Sequence, residues 1–525
     1  MIKGIMLLAL IVAIHGAPKK VALALYHFNL QYVAGNHEIE KRIIEESVIP
    51  LFDFYESHPT YKGDFEIQAW ALEIMDQQYQ PELAQLRSLI DRGQLELIVV
   101  HYSDQFFIGY PALDMKKSVE ISDKILKRLN LKRTRIFLGQ EIQYTAGIIS
   151  ALNDQYDMIS LSGNPYSYYL ENAYPLMTET FHGKEMLIFP GGGKKDLGWC
   201  QWDWAFFDDG EVFSTKDYRS NFYRVPEWEK ANMEKFSQLA EKGYEFLTIS
   251  EFSQLLLDHG YQPPPMEYLP EGTWNMDGGG PYNWLGKQRS GNEKDGLTRA
   301  RNFITRGEVM VAEQWLKRSG KNHPPYSDIL EKAWKHLLLS EVSDASGWSP
   351  WPIEVEYADL HADTAEGLAR EVMGALMDDH TSTVIDTRNQ NHHFRLKKMM
   401  VTPLDTLPVS IQFSGKSWDM DLQKIERNLI KISLSVRPNE DRSAEIRFPL
   451  TGKKHFYSPP MGEDALIKIP KDLKNDPILS LTNGLLTLGN GWNLIKDNFI
   501  EHLDGTWKYE SNTLVFPGRT PQRYS

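Results

Sequence analysis

Phe137-Leu-Gly-Gln-Glu-Ile-Gln-Tyr144 joins a strand-like run to a carboxylate within a few residues. The apolar run Ile136–Leu138 ends at Gly139, and Glu141 follows, flanked by Gln140 and Gln143. A helical segment begins near Thr145. In an α/β barrel this layout puts Glu141 at the carboxyl end of a strand, on the face that carries chemistry. A second acidic stretch, Phe206-Phe-Asp-Asp-Gly-Glu211, comes later. Two carboxylates on one rim are what glycosidic-bond hydrolysis requires.

Working outward, short apolar runs alternate with helical patterns from Val21 to about Leu257. Strands are predicted at Val21–His27, Phe65–Trp70, Leu95–His101, Ile136–Leu138, Met158–Leu161, Met186–Pro190 and Phe246–Ile249. Helices are predicted at Glu38–Tyr55, Glu82–Arg92, Ala112–Leu129 and Glu227–Lys242. Such βα alternation implies a parallel sheet, and its span favours a barrel, complete or incomplete. Gln262-Pro-Pro-Pro-Met266 breaks the pattern. Three helical stretches follow (292–319, 326–342 and 361–377), and from Thr402 short alternating runs read as an antiparallel β-sandwich.

At 525 residues the chain needs two or three domains. With 42% hydrophobic and 24% charged residues it has an ordinary globular composition. The net charge of −14 argues against nucleic acid as a partner. Residues 1–17 combine Lys3, an apolar run from Ile5 to Ile14 and a small residue at Ala17, the layout of a signal peptide. That run is short for a bilayer span, so a periplasmic or secreted protein without stable membrane insertion is expected. Cys200 is the only cysteine, so no internal disulfide forms.

The predicted strands end in polar and aromatic residues: His27-Phe-Asn29-Leu-Gln31, His101-Tyr102-Ser-Asp104 and Gln140-Glu141. Residues on one rim converge on one pocket. Among the 14 tryptophans, Trp202, Trp204, Trp274, Trp284, Trp348 and Trp351 are candidates for stacking on the apolar face of a sugar. For any one of them core packing is an equal alternative. Trp274 and Trp284 flank the Gly278-Gly-Gly280 loop and are favoured; Trp348 follows Asp344; Trp334 falls at apolar helical spacing and reads as core.

Several segments, in order, resemble glycoside hydrolase family 57. Asn29-Leu-Gln31-Tyr-Val-Ala-Gly35-Asn36 is similar to the first motif (His-Gln-Pro, then Val-Gly-Asn), and Gly93-Gln-Leu-Glu-Leu97 through Tyr102 to the second. Phe137-Leu-Gly-Gln-Glu141 resembles the nucleophile motif, and Asp208-Asp-Gly-Glu-Val-Phe213 the acid motif. Ala333 to Asp344, followed by Glu356-Tyr-Ala358, resembles the fifth. The resemblance implies an incomplete (β/α)7 barrel over residues 18–270, a helical domain over 271–395 completing the active site, and a β-rich domain over 396–525. It implies retaining catalysis on α-linked glucans, with Glu141 as nucleophile and Asp209 as acid and base. The choice of Asp209 follows from Phe213 lying four residues later, as in the motif; spacing alone leaves Asp208 and Asp209 open. His27, Gln31, His101, Tyr102, Gln140, Trp202, Trp274, Trp284, Asp344 and Trp348 are the expected substrate-binding residues. No cofactor and no metal are expected.

The sequence also departs from the family. Leu30 stands at the histidine of the first motif and Tyr32 at its proline; Gly139-Gln140 replaces Leu-Pro; Ser214 replaces a glycine. These departures keep open a homologue that binds carbohydrate without turning it over. A third alternative is a metal-dependent hydrolase on a related barrel, but Asn29 is a poor zinc ligand at the first strand end.

Overall fold

The computed structural model describes residues 18–30, 37–152, 154–161, 174–181, 184–216, 223–265, 273–274, 294–320, 323–345 and 352–377, and the backbone of strands beyond residue 409. Strand β1 (Lys19–His27) is central and buried from Val21 to Tyr26. Its unbroken apolar run is what a parallel strand covered on both faces needs. One edge pairs in parallel along its whole length with β8 (Cys200–Asp209), from Lys19↔Cys200 to His27↔Asp209, with a register shift between Leu23 and Ala24. The other edge pairs with β2 (Gly63–Glu66) near the carboxyl end and with β11 (Glu245–Phe246) near the amino end. β3 (Leu95–Ile98) pairs in parallel with β2.

A second sheet carries β4 (Ile136–Phe137), β5 (Met158–Ser160) and β7 (Lys184–Phe189) in parallel, with β6 (Met177–Phe181) antiparallel at its edge. The Thr134 N–H donates to the Leu97 carbonyl at 2.7 Å, linking β3 to the approach of β4. β9 (Thr215–Lys216) and β10 (Tyr223–Arg224) form a small antiparallel pair.

Around these strands lie α1 (His37–Ile43), which runs through a π-helical turn into α2 (Ile49–Ser57), then α3 (Ala69–Gln78), α4 (Gln80–Asp91), α5 (Ala112–Leu129), α6 (Ala146–Leu152), α7 (Pro226–Glu241) and α8 (Ile249–Asp258). Helix α8 begins with a capping box. Thr248 Oγ1 accepts from the Glu251 N–H at 3.2 Å, and Glu251 Oε2 accepts from the Thr248 N–H at 3.1 Å. Several expectations change here. The run Phe246–Ile249, read as the last strand, pairs only at Glu245–Phe246, and Ile249 begins helix α8. The run Phe65–Trp70, read as one strand, is a strand to Glu66 followed by α3. The run from Cys200, not read as a strand, is one of ten residues.

Three long helices follow: α9 (Lys294–Ser319), α10 (Tyr326–Ser340) and α11 (Pro352–Met377). Trp334 is buried among them, with its indole N–H on Glu313 at 3.2 Å. They dock on the segments beyond β3. Ser103 Oγ donates to the Leu338 carbonyl at 2.6 Å, the Phe106 N–H to the Glu341 carbonyl at 3.1 Å, and the Ser343 N–H to the Asp104 carbonyl at 2.9 Å. Arg306 Nε donates to both oxygens of the buried Asp114, at 2.8 and 2.6 Å. Burial pushes the Asp114 carboxyl up, and the Arg306 guanidinium pulls it back. Arg306→Ala leaves the buried Asp114 without its cation. Breaking a buried pair in this way costs about 3–5 kcal/mol. Denaturant unfolding of wild type and variant measures it; a loss under about 1 kcal/mol, as for an exposed pair, contradicts the expectation.

Beyond residue 409 the strands are β12 (Ser410–Ser414), β13 (Asp419–Glu426), β14 (Leu429–Ser435), β15 (Ser443–Pro449), β16 (His455–Tyr457), β17 (Leu466–Lys468), β18 (Leu485–Gly489), β19 (Trp492–Ile495), β20 (Lys508–Glu510) and β21 (Thr513–Arg519). All their pairings are antiparallel. They form sheets in the orders β12-β15-β21-β20 and β17-β16-β18-β19, plus the hairpin β13-β14.

Candidate active site

The period-two alternation of β1 selects what its end presents. Val21, Leu23 and Leu25 enter the core that holds Trp202, Trp204 and Phe189. Ala22, Ala24 and Tyr26 enter the core packed under the helices. His27 continues the first series. On β8, after the register shift, Phe206 enters the helix-side core and Phe207 packs on the inner one. Asp208 therefore follows the outer series and pairs with Tyr26; Asp209 follows the inner series and pairs with His27. The register separates the two aspartates that spacing leaves open.

His27 also pairs with Glu66, the last residue of β2. Paired residues of adjacent strands share a face, so Glu66, His27 and Asp209 stand in a row across three parallel strand ends. His27 Nδ1 lies 2.5 Å from Glu66 Oε2. Burial works to lower the imidazole's pKa, but the charges of Glu66, Asp209 and Asp104 overcome it and hold it up at about 10.

Glu141 follows β4 in a tight turn and adopts φ 58°, ψ 16°, with Ile142 next at φ 48°. Left-handed backbone at such residues costs on the order of 1–3 kcal/mol each and persists only when the surroundings over-determine it. Here they do. The Gln140 N–H donates to His101 Nε2 at 3.0 Å, Gln143 Nε2 donates to the Gln105 carbonyl at 3.1 Å, and the Trp274 N–H donates to the Glu141 carbonyl at 3.0 Å. Because His101 Nε2 accepts, its ring is neutral there, and burial lowers its pKa to about 3.

Three side-chain donors converge on the Glu141 carboxyl. The Trp274 indole N–H reaches Oε2 at 2.6 Å; Ser343 Oγ and Gln140 Nε2 reach Oε1 at 2.9 and 3.2 Å. Burial raises this carboxyl above its ordinary range, and the donors from Trp274 and Ser343 pull it back toward the ionised form. Burial likewise raises Asp209, the His27 cation opposes this, and Asp208 adds to it. Among the described residues no side-chain donor reaches the Asp209 carboxyl.

Two further buried acids border the site. Glu211 Oε1 accepts the Asn29 N–H at 2.5 Å, and burial and the Asp209 charge push its pKa well up. Asp344 is raised strongly by burial and by Glu141, while a hydrogen bond from Asn29 opposes the rise.

Of the expected site residues, His27, His101, Gln140, Glu141, Asp209, Trp274 and Asp344 come together. Tyr102 does not. Its hydroxyl donates to Glu73 at 3.0 Å among the helices, and its backbone N–H donates to Ser118 Oγ at 2.8 Å. Trp202 does not either. It is 1% exposed in the inner core, donating to the Lys194 carbonyl at 3.1 Å, and it precedes Asp209 by seven residues. At about 3.3 Å per residue it lies near the far end of β8. Gln31, Trp284 and Trp348 lie outside the described residues. Two residues that meet the site, Ser343 and Glu66, were not anticipated. The signal for Glu66 was available, since a charge inside an apolar strand needs a partner. Among the described residues no cluster is placed to hold a metal ion, and no helix is long and apolar enough to cross a membrane.

No protein-family model matches the chain. An α-amylase of Pyrococcus horikoshii is 23% identical over 169 residues, which cover 30% of this chain; the chain thus spans about a quarter of that relative, 25% of its length. Among solved structures, the 4-α-glucanotransferase of Thermococcus litoralis matches at 14% identity and TM-score 0.45, over 96% of this chain and 98% of that one. The GH57-type branching enzyme of Pyrococcus horikoshii matches at 12% identity and TM-score 0.46, over 69% and 90%. An α-mannosidase of Enterococcus faecalis matches at 11% identity and TM-score 0.47, over 97% and 55%. The chain is similar to glycoside hydrolase family 57 at the low identity of a divergent relative.

Proposed function

We propose that this chain is a retaining glycoside hydrolase or transglycosylase acting on α-linked, glucan-like oligosaccharides or polysaccharides. The observation that carries the reading is the contrast in hydrogen bonding between two buried carboxyls that interact across the site, Glu141 after β4 and Asp209 at the end of β8. Burial raises both carboxyls, Glu141 to about 7 and Asp209 to about 6, so burial does not divide them. The donors do, since three reach Glu141 and stabilise its ionised form while no described side-chain donor reaches Asp209. A retaining site needs this division of roles. The motif order and the α-amylase relative support the glucan class.

In this reading Glu141 attacks the anomeric carbon while the glycosidic C–O bond breaks. The proton of Asp209 passes to the leaving oxygen. A glycosyl ester forms on Glu141. Water or an acceptor hydroxyl then attacks the same carbon and gives its proton to Asp209, and Glu141 leaves as a carboxylate. The exposed Trp274, whose N–H holds Glu141, offers its ring to the sugar.

We further propose that residues 1–17 are a signal peptide, so that the mature protein is periplasmic or secreted. In the same proposal the parallel strands belong to an incomplete (β/α)7 barrel over 18–270. A helical domain over 271–395 then completes the site, and a β-rich domain over 396–525 has a sandwich-like form.

The test is product release from α-linked oligosaccharides and aryl α-glycosides, with and without chelator. Turnover indifferent to chelator is expected. Turnover lost on chelation and insensitive to changes at both carboxyls would falsify the reading and point to a metal site. The second reading is carbohydrate binding without turnover. It is favoured by Leu30, which stands where the family has its first-motif histidine and is wholly buried. Binding by calorimetry with no product from any substrate would establish it.

The donors to Glu141 give a smaller prediction. Hydrogen bonds to charged groups contribute about 1.5–3 kcal/mol. Ser343→Ala should therefore reduce kcat/KM roughly tenfold to a hundredfold and move the acid limb of the pH profile upward. An unchanged limb would mean that Ser343 only packs the helical segment in place.

A further inference from the structure

Three features outside the proposed reaction stand out: the His37–Glu40–His361–His336 cluster, the exposed face of Ile304, Val311 and Trp315, and the Glu66–His27 pair. The first joins helices near the surface, and nothing shows what covers the second. The third touches a proposed catalytic carboxyl.

Glu66 is completely buried and ends β2. One of its oxygens lies on His27 Nδ1, and among the described residues the other has no hydrogen-bond partner. Its one described function is thus to hold the imidazole. A carboxylate is costly to bury alone. Burial pushes the Glu66 carboxyl up and the His27 charge and hydrogen bond pull it back, so a protonated His27 and Glu66 stabilise each other's charge. With Nδ1 committed to Glu66, Nε2 is the ring's free edge. The strand register places Asp209 on the side of His27 opposite Glu66.

We propose that Glu66 locks His27 as a fixed cation beside Asp209, and that this positioning pair sets the upper pH limit of Asp209 as proton donor. The inference rests on the assignment of Asp209 as acid and base. When Asp209 gives its proton to the leaving oxygen, a buried carboxylate remains with no described side-chain donor to receive it. The imidazolium is the group that stabilises that anion without itself losing a proton. The other titratable groups facing His27 are Asp104 and His101 beyond β3, Glu141 beyond β4 and Glu211 beyond β8. Three of these four are acids, so none replaces the cation, and His101 is neutral.

The test joins two readouts on the full-length protein. The first is the kcat/KM pH profile of wild type, Glu66→Gln and His27→Gln on the best aryl α-glycoside. An opposite charge within about 4–6 Å shifts a carboxyl by about 1–3 units. Losing the cation should therefore move the upper limb to higher pH by about that much. The lower limb, set by Glu141, should move up less. The second is the ring resonance of His27 in protein labelled at histidine, identified by its loss in His27→Gln. It should report a charged ring at pH ~8 in wild type and a neutral one in Glu66→Gln.

A neutral His27 under those conditions in wild type overturns the proposal. So does a neutral ring in Glu66→Gln with the upper limb unmoved, since a pair that only packs strand ends lowers rate and melting temperature without shifting a limb. Failure of the underlying assignment looks different: Asp209→Asn would then retain wild-type turnover.

Discussion

Glu141→Ala is expected to abolish turnover, and azide is expected to restore part of it with inversion at the anomeric carbon. The first half follows from the role. Removing a covalent nucleophile whose partners act as a unit has been worth up to about 10⁶ in kcat. The second half separates nucleophile from bystander. Alanine leaves a space the size of a carboxylate, lined by the Trp274 indole N–H, Ser343 Oγ and Gln140 Nε2. These donors suit a small anion. Azide seated there attacks the carbon from Glu141's side and leaves a glycosyl azide of configuration opposite to the substrate. With no enzyme carboxylate to displace it, that product accumulates. Proton NMR of the product from an aryl α-glycoside reads the anomer directly. A variant that azide does not rescue, but that keeps a few per cent of activity with unchanged anomeric outcome, removes Glu141 from the nucleophile's role.

The backbone bears on the choice of substitution. Glu141 and Ile142 both hold positive φ, and the turn is kept by contacts from His101, Gln105 and Trp274. Those contacts run largely through backbone atoms of the turn. The conformation should therefore survive loss of the side chain, and circular dichroism of Glu141→Ala should overlay wild type. Glycine at this turn's second strained position relieves strain without touching the carboxyl. Ile142→Gly is expected to cost little stability and to reduce kcat by loosening the turn, a result that thermal melts and kinetics together would show.

What the sequence discloses here divides along physical lines. β1 is legible because a central parallel strand must be apolar on both faces, and Val-Ala-Leu-Ala-Leu-Tyr is. β8 is as central but carries Gln201, Asp203, Asp208 and Asp209, so a search for apolar runs passes over it. Its alternation of Trp202 and Trp204 with polar residues was nonetheless a period-two signal. Helix α3 hides because Phe65–Trp70 is apolar enough to read as one strand, while the chain turns at Ile67 and Gln68. At the site, Glu141 is legible from its strand-turn setting. Asp209 needs register: a shift of one residue would exchange it with Asp208. His101 and Tyr102 show the limit of reasoning from neighbours, since adjacent side chains at a strand end reach opposite sides. Glu66 announces itself as a charge in an apolar strand but finds its partner, His27, only 39 positions away, and Ser343 becomes visible only through tertiary pairing, 202 positions from Glu141.

The same register carries the second large prediction. Asp209→Asn should reduce kcat/KM by about 10²–10⁴ on natural oligosaccharides, the ordinary worth of a positioned general acid. The loss should depend on the leaving group. A dinitrophenolate departs without a proton, so glycosylation of Glu141 from its α-glycoside needs no acid, and that step should stay near the wild-type rate. Deglycosylation then needs a base to take the proton of water, and the amide that replaces the Asp209 carboxyl cannot serve as one. The glycosyl enzyme should therefore accumulate: a burst of one dinitrophenolate per active site followed by slow turnover, with the adduct on Glu141 found by mass spectrometry of peptic peptides. The corresponding change at Asp208 should leave both phases almost intact, because Asp208 follows the outer face of β8 and is bonded to the Asp209 N–H at 3.0 Å. If Asp208→Asn instead gives the burst, the side-chain alternation read along β8 past its register shift is wrong at its last two residues, and the row of Glu66, His27 and Asp209 goes with it.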